Sequence, residues 1–203
     1  MQDGRQLLGV LIESLQRLQA KLHGETPAVA GVWNEWKQGG RMLYQPKDEE
    51  RFSDFVKLHL DEDLRGRGVI VNREVQIRRG EGGVPGERTD IHVDAIRRAG
   101  PTDEDYDTIT AIVEVKGNWH RELFAAMETQ MVRRYLRDNQ AQHGLYLVGW
   151  FNCPQWDGSD SRKRSLPKVN IEEAQQRFDE QALHLSREGR QIVAVVLDTG
   201  LRQ

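Results

Sequence analysis

The chain has 203 residues, a formal net charge of −3 and one cysteine, Cys153. That length suits one well-cored α/β domain with an extension, the lone cysteine excludes an internal disulfide and points to a reducing, cytoplasmic setting, and no apolar run nears the roughly 20 residues of a membrane-spanning helix. Mild acidity excludes binding to nucleic acid through global charge, so any such binding rests on local basic patches.

Leu8, Leu11, Leu15, Leu18 and Leu22 recur at helical spacing, which predicts an amphipathic helix from residue 5 to about 23, ended by Gly24 and Pro27. A tract rich in Gly and Trp follows (Gly31, Trp33, Trp36, Gly39, Gly40). Residues 1–45 read as a helical extension or tether. Its helix 5–22 suits intramolecular packing, a homodimer or docking to a larger protein partner.

From Pro46 the pattern sharpens into the body of the protein, residues 46–203. Pro46-Lys47-Asp48-Glu49-Glu50 is a helix-start signal, and Phe52, Phe55, Val56 and Leu60 supply its apolar stripe before Gly66 and Gly68. Val69–Ile77, Thr89–Ile96 and Ile109–Val115 read as strands, separated by the Gly-rich turn 80–86 and the acidic loop 101–107. A helix is expected over Arg121–Asn139, a buried strand over Leu145–Phe151, a helix over 171–188 and a closing strand over Gln191–Asp198. The order α-β-β-β-α-β-α-β predicts an α/β fold with a mixed central sheet flanked by helices.

The third strand carries the chemistry. Side chains alternate faces along a strand, so Ile112, Glu114 and Lys116 share one face while Ala111, Val113 and Val115 share the other. On the preceding strand Asp90, His92 and Asp94 fall together, which lets Asp90 sit beside Glu114 if the strands pair. Two adjacent carboxylates repel unless a cation neutralises them. A hard cation such as Mg²⁺ or Mn²⁺ binds one or two carboxylates and completes its shell with waters and phosphate oxygens. It also lowers the pKa of a bound water, and a nearby lysine can hold that water. Phosphodiester hydrolysis is the reaction this set suits.

Asp90 followed at a distance by Glu114-Val115-Lys116 resembles the split Asp…Glu-X-Lys motif of the PD-(D/E)XK, or restriction-endonuclease-like, nuclease superfamily. The helix-strand order from about 48 to 198 is similar to that family's as well. The resemblance implies a metal-dependent nuclease, with DNA the favoured substrate, in which Asp90 and Glu114 hold the metal and Lys116 positions the attacking water. It also implies an acidic residue on the opening helix, for which Glu49 stands ahead of Glu50, and a glutamine on the following helix, matched by Gln130. Tyr135 follows Gln130 one residue later than in the RecB-like pattern and is not carried over. Thr89 holds the place where the family often has proline.

Arg73, Arg78 and Arg88 on or near the first strands, and Arg133 and Arg134 on the helix after the motif, are the expected phosphate contacts. Glu74 is a secondary candidate on the strand face it shares with Asn72 and Gln76. His92 and His120 have no ligand partners at zinc spacing and read as structural. Cys153 reads as a small buried residue, and Trp119 as packing. Two other readings stand beside the nuclease: a non-catalytic module of the same fold that binds nucleic acid or protein, and the nuclease end of a larger defence or repair assembly.

Overall fold

A computed structural model describes residues 1–73, 91–98, 106–187 and 189–202. The chain opens with α1 (Gly4–Leu22), where the Asp3 side chain accepts a hydrogen bond from the Gln6 amide and caps the first turn. Its Leu7, Leu8, Leu11, Leu15, Leu18 and Leu22 are each at most 1% exposed. They join one hydrophobic cluster with Phe52, Val56 and Leu60 of α2 (Glu49–Asp63) and with Ala111, Val113 and Val115 of the central strand β5 (Tyr106–Gly117). Each such leucine contributes about 1.5–3 kcal/mol on burial, so α1 is a wall of the core rather than a tether. Its leucine face is already covered by the chain's own sheet and α2, and is therefore not on offer to a second copy or a larger partner.

The Gly/Trp tract, where no strand was expected, folds into an antiparallel hairpin of β1 (Trp33–Gln38) and β2 (Arg41–Pro46). Gly39 and Gly40 both take positive φ, 57° and 79°, the left-handed backbone that a two-residue hairpin loop requires. The hairpin root is held by Trp33, whose ring meets Phe151 and Trp156 edge-on at 5.6 and 5.9 Å.

A five-stranded mixed sheet runs β3 (Val69–Arg73), β4 (Ile91–Arg98), β5, β6 (His143–Trp150), β7 (Gln191–Asp198). β3, β4 and β5 are antiparallel neighbours, whereas β5, β6 and β7 are parallel. α1 and α2 cover one face. The other is covered by a helix over Met127–Leu136 and by α3 (Ile171–Leu185), with Ile112, Tyr146 and Val148 of the sheet packed beneath them. The protein is thus a mixed α/β fold with helices on both faces of its sheet. Asn170 and Glu173 form a reciprocal capping box that starts α3.

The helix after β5 departs from expectation. In place of an α-helix from Arg121, turns run to Ala125 and the backbone then takes π-helical, i→i+5, hydrogen bonding over Met127–Leu136. The buried residues fit it: Met127, Met131 and Leu136 are spaced by four and then five, and Met127 and Val132 by five, wider than the 3.6 residues of an α-turn. Only the wider turn keeps all of them on the sheet.

The outer margin of β7 is closed by side chains. Ser186 Oγ accepts from the Ile192 amide at 2.9 Å. Gln175 donates to the Ala194 carbonyl at 3.1 Å and accepts from the Val196 amide at 2.7 Å. Gln19 does the same for Asp198, donating to its carbonyl at 3.1 Å and accepting from its amide at 2.7 Å. These amides occupy backbone groups that would otherwise pair with another strand.

A polar network fastens α1 to α2. Ser14 Oγ donates to Asp63 Oδ2 at 2.7 Å, Arg17 Nη2 donates to the same oxygen at 2.7 Å, and His59 Nε2 donates to the Ser14 carbonyl at 2.9 Å. The Arg17 hydrogen bond, reinforced by Ser14, holds the Asp63 carboxyl well below the usual carboxylate range, against the opposing effect of burial. Burial pushes the His59 imidazole below its ordinary value.

Two outcomes follow from this packing. Leu11→Ala lowers the unfolding free energy by about 3 kcal/mol in urea melts, where a tether residue would change it by less than about 0.5 kcal/mol. Because His59 binds its proton less readily folded than unfolded, its contribution is intact above about pH 6.5 and declines as pH falls below that. Asp63 adds a loss of the same sign at lower pH. His59→Gln therefore flattens the fall in stability between roughly pH 7 and 5, measured by chemical denaturation across that range.

Candidate functional site

The sheet register brings charge into the interior at the C-terminal end of β5. Ala111, Val113 and Val115 enter the α1/α2 cluster and Ile112 enters the opposite one, the alternation that places Glu114 and Lys116 together on the second face. β4 flanks β5 on one side and β6 on the other, with Glu114 opposite Tyr146 and Lys116 opposite Val148. Both charges are buried there, with side chains 1% and 9% exposed, and Lys116 Nζ lies 2.7 Å from Glu114 Oε1. Burying two charges in this way is unfavourable unless each has its counter-charge and hydrogen bonds.

Glu49 is brought in from α2. It is the first residue of that helix, after the N-cap Asp48, whose side chain accepts from the Arg51 amide at 2.7 Å. A carboxylate in the first turn is favoured by the helix dipole. Glu49 Oε1 accepts a hydrogen bond from the Gly117 amide at 3.1 Å, and its Oε2 lies 3.9 Å from Lys116 Nζ and 4.0 Å from His120 Nε2. Gly117 is needed at this point, because a Cβ would stand 2.5 Å from the Trp119 ring, which folds back over the strand end. Trp119 does pack, with its ring 4.9 Å from Phe151, 5.8 Å from Trp156 and 5.0 Å beneath the Arg162 guanidinium.

Of the residues expected from sequence, the structure gathers Glu114, Lys116 and Glu49. Asp90, Glu74, Arg78 and Arg88 lie outside the described residues. Gln130 is half-buried on the π-helix and donates to Glu122 Oε2 at 3.3 Å. It lines a cavity of about 540 Å³ together with Trp119, His120, Arg121 and Arg162. Tyr135 packs against the hydrophobic cluster beneath the π-helix. Arg73 ends β3 and is drawn onto Asp54 of α2, its side chain 14% exposed, which turns it inward rather than toward a polyanion. Arg133 and Arg134 are exposed, with Arg133 paired to Glu128.

His120 was set aside on sequence as a structural histidine, yet it joins the cluster through Glu49. Burial, and secondarily the Lys116 charge, push its imidazole below the ordinary value, while Glu122 opposes them. The signal available was the Gly117-Asn118 pair, a turn dipeptide that folds position 120 back toward the strand end. The His120 amide donates to the Gly117 carbonyl at 2.9 Å, closing that turn. His92 is half-buried on β4 and lies 3.6 Å from Asp94, and Cys153 is buried.

No protein-family model matches the chain, and no curated protein matches it. What the fold and site define is a mixed α/β protein with a buried Glu-Lys pair and a helix-borne carboxylate at the end of its central strand. Among the described residues no helix is long and apolar enough to cross a membrane.

Removing Lys116 takes from the buried Glu114 the counter-charge that lies 2.7 Å away. Lys116→Met lowers the unfolding free energy of the protein by about 3 kcal/mol, and adding Glu114→Gln to it restores at least half of that loss. A double-mutant cycle in guanidinium measures both.

Proposed function

We propose that this chain is a metal-dependent nuclease of the PD-(D/E)XK class that hydrolyses phosphodiester bonds, with DNA as substrate. The observation that carries the reading is the convergence of Glu49, Glu114 and Lys116 at the C-terminal end of β5. The strand register adds to it: β4 pairs antiparallel with β5 from Ile91 opposite Val113, which lays the strand beginning at Ile91 alongside the one that carries Glu114 and Lys116. A mixed five-stranded sheet with helices on both faces agrees with the mixed, helix-flanked sheet that the resemblance implies.

The donor chemistry fits a hard cation. Glu49 and Glu114 offer carboxylate oxygens, and among the described residues no group of three His, Cys, Asp or Glu side chains stands ready to hold a metal. Mg²⁺ needs no such cage, because it binds through one or two carboxylates and keeps waters and phosphate oxygens for the rest of its shell. Glu114, Glu49 and Asp90 are the residues that would hold Mg²⁺ or Mn²⁺, which when bound would supply charge neutralisation and an acidified water.

Lys116 serves as the fixed cation of the site. Its ammonium, held by Glu114, orients the attacking water and offers a proton to a developing oxyanion. Gln130 and His120 stand at the mouth beside the 540 Å³ cavity and would meet the sugar-phosphate chain there. The exposed Arg133 and Arg134 supply phosphate contacts, which makes binding weaken steeply with salt.

The test is cleavage of plasmid and linear DNA with Mg²⁺ or Mn²⁺. The parent protein cleaves, Lys116→Ala and Asp90→Ala lose activity by about a hundredfold or more, and chelation abolishes cutting. Equal activity in parent and Lys116→Ala defeats the assignment. A parent that binds DNA without cutting it, with Mn²⁺ affinity unaltered by Asp90→Ala, favours the non-catalytic module instead.

A further inference from the structure

A cavity of about 660 Å³ opens at the other end of the sheet, between α1, the C-terminal end of α3 and the start of β7. His143 and Gln191 begin β6 and β7 there, level with Ala111, while the acidic cluster sits level with Tyr146 to Gly149. The two regions are therefore separated along β5 by the Ala111–Glu114 stretch.

Its walls combine two chemistries. Arg5 from α1, and Arg187 and Arg190 from the connection between α3 and β7, line it. Asp179 is the carboxylate that lines it; Glu188 lies outside the described residues. The remaining wall is apolar, including Ile12, Val193 and Leu183. Leu183 is 78% exposed, an isolated apolar side chain at the rim of a cationic hollow. The volume falls in the range of small-molecule sites, which are mostly apolar with a few placed polar groups. Guanidinium groups match phosphate oxygens in a bidentate manner.

We propose that this cavity binds a phosphorylated small molecule with a flat apolar portion, of the nucleoside monophosphate class. The phosphate lies on Arg5, Arg187 and Arg190, and the ring lies against Ile12, Val193 and Leu183. The site is distinct from the acidic cluster and stands whether or not the chain cleaves nucleic acid.

Calorimetry and thermal melting of the full chain with AMP, adenosine and inorganic phosphate test it. AMP binds and raises the melting temperature, while adenosine and phosphate each bind at least about tenfold more weakly. Arg187→Glu/Arg190→Glu weakens AMP roughly tenfold or more. Arg5→Glu, on a different element, repeats the loss if the double variant misfolds. Leu183→Ser weakens AMP and leaves phosphate unchanged. Absence of AMP binding at millimolar concentration, phosphate binding as tight as AMP, or AMP binding kept in both arginine variants overturns the proposal. So does AMP binding that Lys116→Ala abolishes and the arginine variants keep, since that places the nucleotide at the acidic cluster.

Discussion

The interior of this protein is organised around a strand that must bury charge. β5 lies between two neighbours and beneath helices on both faces, so Glu114 and Lys116 leave water on folding and lean on each other at 2.7 Å. Desolvating such a pair is unfavourable by several kcal/mol per ion before attraction is counted, and the geometry around it has to be held firmly. Glu49 belongs to that support, and its position depends on where α2 begins. α2 in turn is fixed by α1, through the leucine face and through the Ser14–Asp63–His59 network. The leucines of the first helix thus hold a carboxylate in place across the molecule.

The strand pattern of the sheet was legible because burial imposes alternation. Ala111, Val113 and Val115 against Ile112, Glu114 and Lys116 is a two-residue period that one register satisfies, and Ile91, Val93 and Ala95 repeat it on β4. Glu49 was legible from the helix-start signal, since an acidic first turn follows a capping aspartate. The helix after β5 was legible only in its existence. Its apolar spacing of four, then five, was read as α-helical although it fits the wider π-turn, and the extra residue between Gln130 and Tyr135 is part of the same widening.

What the sequence hid were contacts made across long separations. Trp33 and Trp36 read only as part of a Gly- and Trp-rich tract in the extension, because a hairpin of six-residue strands has little apolar alternation to show, and its root is stabilised by Phe151 and Trp156 from far along the chain. Arg73 read as a phosphate contact, and the structure seats it on Asp54 of α2. His120 had no partner at ligand spacing in the sequence, and gained one through Glu49, which is contributed from 71 residues upstream. In each case the local pattern was neutral and the tertiary packing decided.

The closed margin of β7 has a consequence for how this fold can be elaborated. With Ser186, Gln175 and Gln19 seated on its backbone, that flank behaves like a hemmed border on which several of the donors and acceptors an invading peptide needs are already taken. Lateral growth of the sheet, whether by an inserted segment or by a neighbouring polypeptide, is thereby hindered on the β7 side, next to the arginine-lined hollow.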